Sequence, residues 1–427
     1  MLRRNVRRLP VTTVYLIYLA ASGFLFRLAA TIFSVFLIRD LGFDPMQLLL
    51  MGTFLEASYL VFEIPTGVIA DTVSRRLSLL IGLFGVGVAF ILLSVATSFL
   101  VAAASQVLWG IFATFESGAD VAWLTDEIGE ERAHAYYLKG EQAWQIASVV
   151  GIAASVGIAA GFHDLRTPIF LAGIGTIGLG FLMIPLMREE GFTPRERPAG
   201  ERLRTGLLQT FRDGVAQVRA HHVLLLILVV AALHGASTEG FDRLADFHLL
   251  KDIGLPRIGD LDPIVWFGVL DGVGLVMGIG AIQVVKKRVH LEGHARVARV
   301  LGVIDLALAF AVVAFAVTGR FGVAMVMFWI VGGLRNVRTP IFTAWVNQGL
   351  DPKTRATINS MATQADAVGQ AAGGPILGVI ATTAGAPWAI GISGLLRLPA
   401  LALYARAIRR GTVGTVAPTD EVIELEE

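Results

Sequence analysis

The stretch GVIADTVSRR, residues 67 to 76, joins two apolar runs near residues 47–70 and 77–97. Each run can cross a bilayer as a helix, because a spanning helix needs about 20 mostly apolar residues. The charged side chains of Asp71, Arg75 and Arg76 therefore lie in a short loop at the membrane surface. Two spans joined in this way predict a chain that crosses the membrane repeatedly.

Further spans are found on both sides of this stretch. The composition is 55% hydrophobic and 16% charged, whereas soluble domains carry about 25% charged residues. The sequence predicts an all-α polytopic membrane protein with twelve transmembrane helices. The predicted spans lie near residues 12–37, 47–70, 77–97, 99–123, 141–161, 167–187, 222–247, 262–285, 297–317, 321–345, 357–383 and 387–408.

A polar segment with two prolines and a glycine (Pro194, Pro198, Gly200) separates six spans from six. Such residues mark loops rather than continuing helices. The chain is predicted to have four parts. They are an N-terminal six-helix half at 1–187, a cytoplasmic linker at 188–221, a C-terminal six-helix half at 222–410, and a disordered acidic tail at 411–427.

The placement of basic residues predicts the orientation of the chain. Of the 35 Lys and Arg residues, 25 fall at the termini and in the loops on one side, five fall in the opposite loops, and five fall inside spans. Lys and Arg accumulate on the cytoplasmic side of membrane proteins, so both termini are expected there. The richness in Ala, Gly, Val and Arg favours a bacterial plasma (inner) membrane as the location of this multi-pass chain.

The two halves of the sequence resemble each other. The segment GFLFRLA at 23–29 matches GFDRLA at 240–245 with one deletion, and RDLG at 39–42 matches KDIG at 251–254. The pair Ala122-Trp123 at the end of span 4 corresponds to Ala344-Trp345 at the end of span 10. Three matches in the same order predict two six-helix repeats.

The motif Gly67-x-x-x-Asp71-x-x-x-Arg75-Arg76 resembles the signature loop of the major facilitator superfamily. The resemblance implies two parallel six-helix repeats, related by an axis along the membrane normal, and a loop that stabilises one of two alternating states. Gly67 is expected to allow close helix packing, and Asp71 and Arg75 to form a cytoplasmic charge lock. The alternative interpretation is an ordinary loop of the positive-inside kind.

A second motif lies in span 11, where Gly369-x-x-x-Gly373-Gly374-Pro375-x-x-Gly378 looks like the glycine-proline motif of antiporters in this superfamily. In the family that motif belongs to helix 5, which weakens the antiporter inference here. Span 11 is related to span 5 by the repeat. We therefore expect Gly373, Gly374, Pro375 and Gly378 to serve helix packing.

Many charged residues lie inside the predicted spans, where each needs a partner or a wet cavity. By the resemblance, spans 1, 4, 7 and 10 line a central cavity. The candidates for substrate binding or coupling are Arg27, Glu56, Glu63, Glu116, Asp120, His234, Glu239, Asp242, Arg243, Asp271, Arg335, Arg338 and Asp366. Structural ion pairing is the alternative for each of them, and it is favoured for Asp305 and Arg397, which lie on peripheral spans 9 and 12.

These features predict a proton-coupled exporter of small amphipathic organic molecules or drugs, working by alternating access. Aromatic residues among the cavity candidates (Phe24, Trp109, Phe112, Phe115) suit apolar, cationic cargo. Uptake or facilitated diffusion of a small metabolite by the same fold is the alternative, and a membrane enzyme or sensor is a remote one. The expected partners are the lipid bilayer, the small-molecule substrate and protons.

Several classes of function have no support in the sequence. The net charge of +1 gives no basic field for nucleic acid, and neither a nucleophile elbow nor a phosphate-binding loop is present. The histidines of the loop at 290–294 lack a metal-ligand spacing. We expect no enzyme activity, no cofactor and no metal.

Two hypotheses concern particular carboxylates. Glu56, Asp271 and Asp366 lie near the middle of spans without an obvious local base, so the proton-coupling group is expected among them, with Glu56 first. Glu116 and Arg338 lie at equivalent positions of the two repeats. They are predicted to form a salt bridge between the halves in the outward-open state, unless each pairs within its own half.

Overall fold

The computed structural model describes residues 9–194, 222–257, 259, 261–288, 293–348 and 352–410. These residues form α-helices and one π-helix, which are numbered here in chain order. The helices are α1 (Val11–Arg39), α2 (Pro45–Thr72), α3 (Arg75–Ser94), α4 (Phe99–Ala113), α5 (Ala119–Ile128), α6 (Glu130–Phe162), α7 (Arg166–Leu186), α8 (His222–Phe247), the π-helix (His248–Ile253), α9 (Val265–Arg288), α10 (His294–Val317), α11 (Phe321–Asn347), α12 (Pro352–Ala384), α13 (Ala386–Leu395) and α14 (Leu398–Arg410).

The predicted all-α membrane fold is confirmed. Ten stretches in the described residues are long and apolar enough to cross a membrane, and the shorter apolar helices Phe99–Ala113 and Val265–Ala281 bring the number of spans to twelve. Predicted spans 4 and 12 are not continuous, because each is divided into two helices, α4 with α5 and α13 with α14. Most of the predicted linker (195–221) and the predicted acidic tail (411–427) lie outside the described residues.

Helix starts follow the local sequence. Asp44 precedes α2 and accepts a hydrogen bond from the Gln47 backbone, while the Gln47 side chain accepts one from the Asp44 backbone, which completes a capping box. Ser74 caps α3 by accepting a hydrogen bond from the Leu77 N–H. In the apolar interior a helix satisfies its own backbone groups, so these caps serve the ends of the helices near the membrane surface.

The helices pack as two halves. In the N-half, α1 packs against α6 and α7, and α3 packs against α4 and α7. In the C-half, α8 packs against α12 and α13, and α10 packs against α11, α13 and α14. The halves meet where α2 contacts α12 and α8, and where α6 contacts α9.

We call the membrane face at which α1 begins the terminal face, and the face at which α1 ends the opposite face. The halves are pressed together toward the opposite face, where a Cβ on Gly374 would overlap the Thr53 hydroxyl and one on Gly378 would overlap the Met46 sulfur. Arg39 also donates a hydrogen bond of 3.4 Å to Asp262 across the halves there.

Gly67 lies on the terminal-face side of α2, next to open space. A Cβ added at Gly67 would meet no atom within 4 Å in this conformation, so close helix packing there stays a prediction for the state in which the halves close at the terminal face. The physical reason for the open space is the conformation: the halves that touch at the opposite face are separated near the end of α2.

A close crossing of α8 and α12 yields a prediction about stability. A Cβ at Gly235 would overlap the carbonyl oxygen of Asp366, and one at Gly369 would overlap that of Ala232. Gly235→Ala is expected to lower the melting temperature of the detergent-solubilised protein, because overpacking costs about 1–3 kcal/mol. Gly272→Ala on α9 is the matched control, since its Cβ would meet nothing within 4 Å. Equal melting temperatures for both variants would contradict the close crossing.

Candidate functional site

A cavity of about 710 Å³ lies between the halves, on the terminal-face side. We call it the main chamber. Its lining includes five of the predicted carboxylates and six aromatic side chains: Glu56, Glu63, Glu116, Asp120, Asp366, Tyr18, Phe26, Tyr59, Phe90, Trp109 and Trp144. Among the described residues no Lys, Arg or His is part of this lining. The main chamber is therefore an acidic and aromatic cavity.

Glu116 is positioned by a break in the fourth span. The chain leaves α4 after Ala113 and re-enters a helix at Ala119, with Gly118 at a φ of 71°. Glycine adopts this left-handed backbone at no steric cost. In the break, the Glu116 carboxylate accepts a hydrogen bond of 2.8 Å from the Tyr18 hydroxyl, and Gly82 leaves room for its side chain. Interrupted helices bring irregular backbone to a cavity in many transporters.

Sequence reasoning identified the aromatic wall only in part. Trp109 lines the main chamber as predicted, whereas Phe112 packs into the space left by Gly85 on α3. Phe115 stacks on Phe112, with ring centroids 6.2 Å apart. Tyr18, Tyr59 and Trp144, which were not predicted, supply aromatic lining in their place. The sequence could have indicated these three residues, because each is an aromatic residue inside a span predicted to face the cavity or inside an adjacent span.

Ion pairs connect the two halves beyond the main chamber. Arg27 of α1 lies 3.6 Å from Asp271 of α9. Arg243 of α8 lies 4.0 Å from Glu56 of α2 and 3.4 Å from Glu239 on its own helix. These pairs satisfy charges that would be costly alone inside a membrane.

The Arg243 guanidinium lies directly on the backbone of α2. A Cβ at Gly52 would lie 2.9 Å from the Arg243 Cζ and 2.5 Å from the Glu239 Oε2. Glu239 is 1% exposed, and its Oε1 has no hydrogen-bond partner among the described residues. Arg243 is thus held between a buried carboxylate of its own half and Glu56 of the other half.

Sequence reasoning missed one half-buried acid at the contact between the halves. Asp246 follows Arg243 on α8 and lies beside Asp271 and the Ser34 side chain of the N-half. The sequence could have indicated Asp246, because this charged residue lies inside the predicted seventh span (222–247). Two neighbouring carboxylates at this contact, with one arginine, make the interface between the halves rich in acids.

A second cavity of about 420 Å³ lies within the C-half, bounded by α8, α11 and α12. We call it the basic chamber. Arg338 and His234 line it, and it shares Thr363 and Asp366 with the main chamber. Asp366 accepts a hydrogen bond of 2.7 Å from Gln370. The two chambers therefore adjoin along α12.

A buried polar network lies behind the basic chamber. Arg338 donates a hydrogen bond of 2.8 Å to Asp305, and Tyr404 donates one of 2.8 Å to the other oxygen of the same carboxylate. Arg397 lies 3.5 Å from Asp305 and 2.9 Å from the Nδ1 of His234. The pairing expected for Asp305 and Arg397 is present, and it includes Arg338.

The predicted bridge between Glu116 and Arg338 is not formed in this conformation. Each has a partner within its own half, Tyr18 for Glu116 and Asp305 for Arg338. A contact between them stays a prediction for the state in which the halves close at the terminal face. Nearby on α8 and α11, Asp242 pairs with Arg335, whose guanidinium lies 5.2 Å from the centroid of the Phe241 ring.

The loop at 67–76 is tied to the other helix ends of the N-half. Arg75 lies 3.7 Å from Asp71 and 3.1 Å from Asp126 on α5. The Arg76 N–H donates a hydrogen bond of 2.9 Å to Glu189, and its guanidinium donates one to the Ile184 carbonyl. Asp126 and Glu189 were not predicted as partners of this loop.

The described residues contain no group of three or more His, Cys, Asp or Glu side chains that could hold a metal ion. Arg27, Glu239 and Asp271 lie in the contacts between the halves, outside the lining of both chambers. The arrangement offers proton-accepting carboxylates and charged contacts between the halves. The chambers have room for a ligand, and the charged contacts between the halves depend on whether those carboxylates carry a proton.

Comparisons with known proteins agree with this geometry. A family model described as Major Facilitator Superfamily matches residues 15–291. The uncharacterized MFS-type transporter YxaM of Bacillus subtilis (strain 168) is 20% identical over 423 residues, which cover 97% of this chain and 99% of YxaM.

Two further similarities differ in extent. A probable hexose phosphate transport protein of Chlamydia trachomatis serovar D is 28% identical over 178 residues, covering 39% of this chain and 36% of that protein. The crystal structure of the peptide transporter POT in complex with sulfate superimposes with a TM-score of 0.74, covering 94% of each chain at 16% identity. At that identity the likeness shows the fold alone.

Proposed function

Because the chain belongs to the Major Facilitator Superfamily, a family of membrane transporters, we propose that it exports small amphipathic organic cations in exchange for protons. Substrate enters the main chamber from the terminal face, and rocking of the two halves exposes the chamber to the other side. The positive-inside distribution of Lys and Arg supports a cytoplasmic terminal face. The conformation described here is then inward-facing.

The charge of the main chamber is the observation that carries this proposal. Five carboxylates and six aromatic side chains line about 710 Å³, and no basic side chain of the described residues joins them. Aromatic faces attract cations, especially where water is excluded, and carboxylates attract them more strongly. An organic cation matches both features, whereas a phosphate ester would meet like charge.

Proton coupling rests on the same carboxylates. A carboxylate in a membrane cavity can carry either a proton or the charge that attracts a cationic substrate, and it cannot do both at once. Competition between a proton and an organic cation for these groups gives exchange. Glu56 is our first candidate, because it lines the main chamber and also lies 4.0 Å from Arg243 of the other half.

Uptake of a phosphorylated metabolite is the second candidate function, favoured by Arg338 in the basic chamber. The probable hexose phosphate transport protein of Chlamydia trachomatis is consistent with it over part of the chain. Binding of a phosphate ester without binding of organic cations would favour this candidate.

The proposal predicts transport of tetraphenylphosphonium in proteoliposomes that contain the purified protein. An outwardly directed proton gradient, acidic inside, should drive uptake of the cation, and nigericin should abolish the uptake by collapsing the gradient. Glucose 6-phosphate should not compete. Empty liposomes correct for the passive entry of the cation.

A comparison of inside-out with right-side-out membrane vesicles shows whether the protein exports or imports the cation in cells. Inside-out membrane vesicles that acidify their lumen should accumulate tetraphenylphosphonium when the protein is present, and right-side-out vesicles should not gain accumulation from it. Competition by glucose 6-phosphate, or an effect of the protein in right-side-out vesicles alone, would overturn the proposed function.

A further inference from the structure

The two chambers have opposite electrostatic character and adjoin on one helix. Thr363 and Asp366 of α12 line both chambers, and residues three apart lie on the same face of a helix. The two chambers therefore meet at these two residues, and a ligand that occupies both chambers would lie across them. A single molecule would then contact the acidic main chamber at one end and the basic chamber at the other.

The charges behind the basic chamber are not balanced within the polar network. Arg338 and Arg397 share a single carboxylate, that of Asp305, and the three side chains are 1% to 3% exposed. The Nε and one terminal nitrogen of Arg397 have no hydrogen-bond partner in the described part of the chain. One positive charge remains in excess in a region where an isolated charge is costly, and Asp366 at the shared boundary is the carboxylate among the described residues of the lining.

Neutral donors complete the wall of the basic chamber. An arginine can only donate hydrogen bonds, so the 2.9 Å contact of Arg397 with the His234 Nδ1 makes this nitrogen the acceptor. His234 is therefore neutral, with its proton on Nε2, and it lines the chamber as a donor. Asn359 also lines the chamber and donates a hydrogen bond to Asn347, which leaves its second amide hydrogen as a donor. The hydroxyls of Thr339 and Thr343 in the same wall donate to backbone carbonyls of α11.

We propose that the basic chamber is a subsite for the carboxylate of amphoteric substrates, whose amine occupies the main chamber. This inference rests on the proposed function and narrows its substrate class to organic molecules that carry an amine at one end and a carboxylate at the other. The single positive charge in excess within the polar network matches a monoanion. Arg338 is the arginine of the network that lines the chamber, so it presents positive charge at the chamber wall, and His234 and Asn359 supply hydrogen-bond donors.

Norfloxacin and its ethyl ester test the subsite, because both carry the piperazine amine and the same fluorophore, and only norfloxacin carries a carboxylate. Equilibrium binding to the purified protein is followed by quinolone fluorescence anisotropy. The wild type is expected to prefer norfloxacin by about tenfold, the effect of hydrogen bonds to a charged group.

The variants are designed to leave the net charge of the network unchanged, so that a changed preference reports the loss of Arg338 from the chamber wall. Arg338→Gln alone removes the nearer of the two arginines that pair with the buried Asp305 and can prevent folding, so it is combined with Asp305→Asn. In this double variant the preference for norfloxacin should fall to about one, while the affinity for the ester stays near that of the wild type. The melting temperature reports whether the double variant is folded.

Asp366→Asn acts in the opposite direction. Removing a negative charge beside the carboxylate subsite should raise the preference for norfloxacin over the ester by about 3- to 10-fold. The same change should weaken binding of tetraphenylphosphonium, since Asp366 also lines the main chamber. A purely structural role of Arg338 or Asp366 would shift the affinities for both quinolones equally.

The outcomes separate this inference from the proposed function. If tetraphenylphosphonium binds the wild type but norfloxacin and its ester bind equally well, the carboxylate subsite is refuted and the cation site stands. If tetraphenylphosphonium fails to bind, the proposed function fails. A preference for norfloxacin that survives in the Asp305→Asn, Arg338→Gln variant would also overturn the assignment of Arg338.

Discussion

Glu56→Gln is expected to reduce transport driven by a pH gradient severely while leaving the protein folded and able to bind tetraphenylphosphonium. The side chain lines the main chamber and lies 4.0 Å from the Arg243 guanidinium of the other half. Glutamine keeps the shape of glutamate and removes the site of protonation. Coupling free energies between two sites are typically 1–3 kcal/mol, so we expect gradient-driven uptake to fall by about 10- to 100-fold.

The position of Arg243 is the reason for expecting so large an effect. Its guanidinium lies between Glu239, 3.4 Å away in its own half, and Glu56 across the interface. While Glu56 is ionised, the attraction to Arg243 holds α2 against α8. A proton on Glu56 removes that attraction, so the charge of one carboxylate biases the equilibrium between the two arrangements of the halves.

Glu63→Gln is the matched control for Glu56→Gln. It lies on the same helix and lines the same chamber, and no salt bridge involves it among the described residues. We expect Glu63→Gln to weaken binding of the cation modestly and to preserve the dependence on the proton gradient. Gradient-driven uptake by Glu56→Gln at the wild-type level would assign coupling to another group, with Asp271 and Asp366 tested next in the same way.

The membrane explains why the spans could be predicted from the sequence. An apolar run of about 20 residues has one stable arrangement in a bilayer, a helix that satisfies its own backbone hydrogen bonds. The predicted second span (47–70), for example, lies within the observed helix Pro45–Thr72. The break after Ala113 was not predictable by the same reasoning, because it depends on the left-handed backbone at Gly118 and not on hydrophobicity.

Partners of charged residues were less predictable than their positions. Spacing along one helix indicated the contact between Asp71 and Arg75, which is found at 3.7 Å. The nearer partner of Arg75, Asp126, is distant in sequence and is brought there by the packing of α5 on α3. The repeat placed Glu116 and Arg338 at equivalent positions, yet it could not indicate that Asp305 holds Arg338 within the C-half.

Asp71→Asn is expected to leave expression and melting temperature unchanged and to reduce transport by about 10-fold or more, the size of a lost coupling between conformations. Asp71 is 46% exposed in the present conformation, and its pair with Arg75 has the i,i+4 spacing of a surface salt bridge. Such exposed pairs contribute about 0–1 kcal/mol. The stability of this conformation therefore gives no reason for a large effect. The expected loss of transport comes from the state in which the halves close at the terminal face.

Asp126→Asn separates the two contacts of Arg75. Asp126 lies 3.1 Å from the Arg75 Nε, and both side chains are more buried than Asp71. Its replacement should lower the melting temperature, since it leaves Arg75 with the more distant partner and loosens α5 from α3. Glu190→Gln is the surface control, because this glutamate is 72% exposed and lies 3.9 Å from Arg188 near the same membrane face.

The different effects expected of Asp71→Asn and Asp126→Asn would identify a charge lock that acts in only one of the two conformations. Arg75 keeps its contact with Asp126 whether or not Asp71 remains, so the Asp71 carboxylate is free to take a partner on the C-half when the terminal face closes. The open space around Gly67, one turn earlier on α2, lies where that closure would bring the C-half. Loss of transport in Asp71→Asn with an unchanged melting temperature supports the lock. Wild-type transport by Asp71→Asn, measured beside Glu190→Gln, would leave the loop at 67–76 as an ordinary positively charged connection.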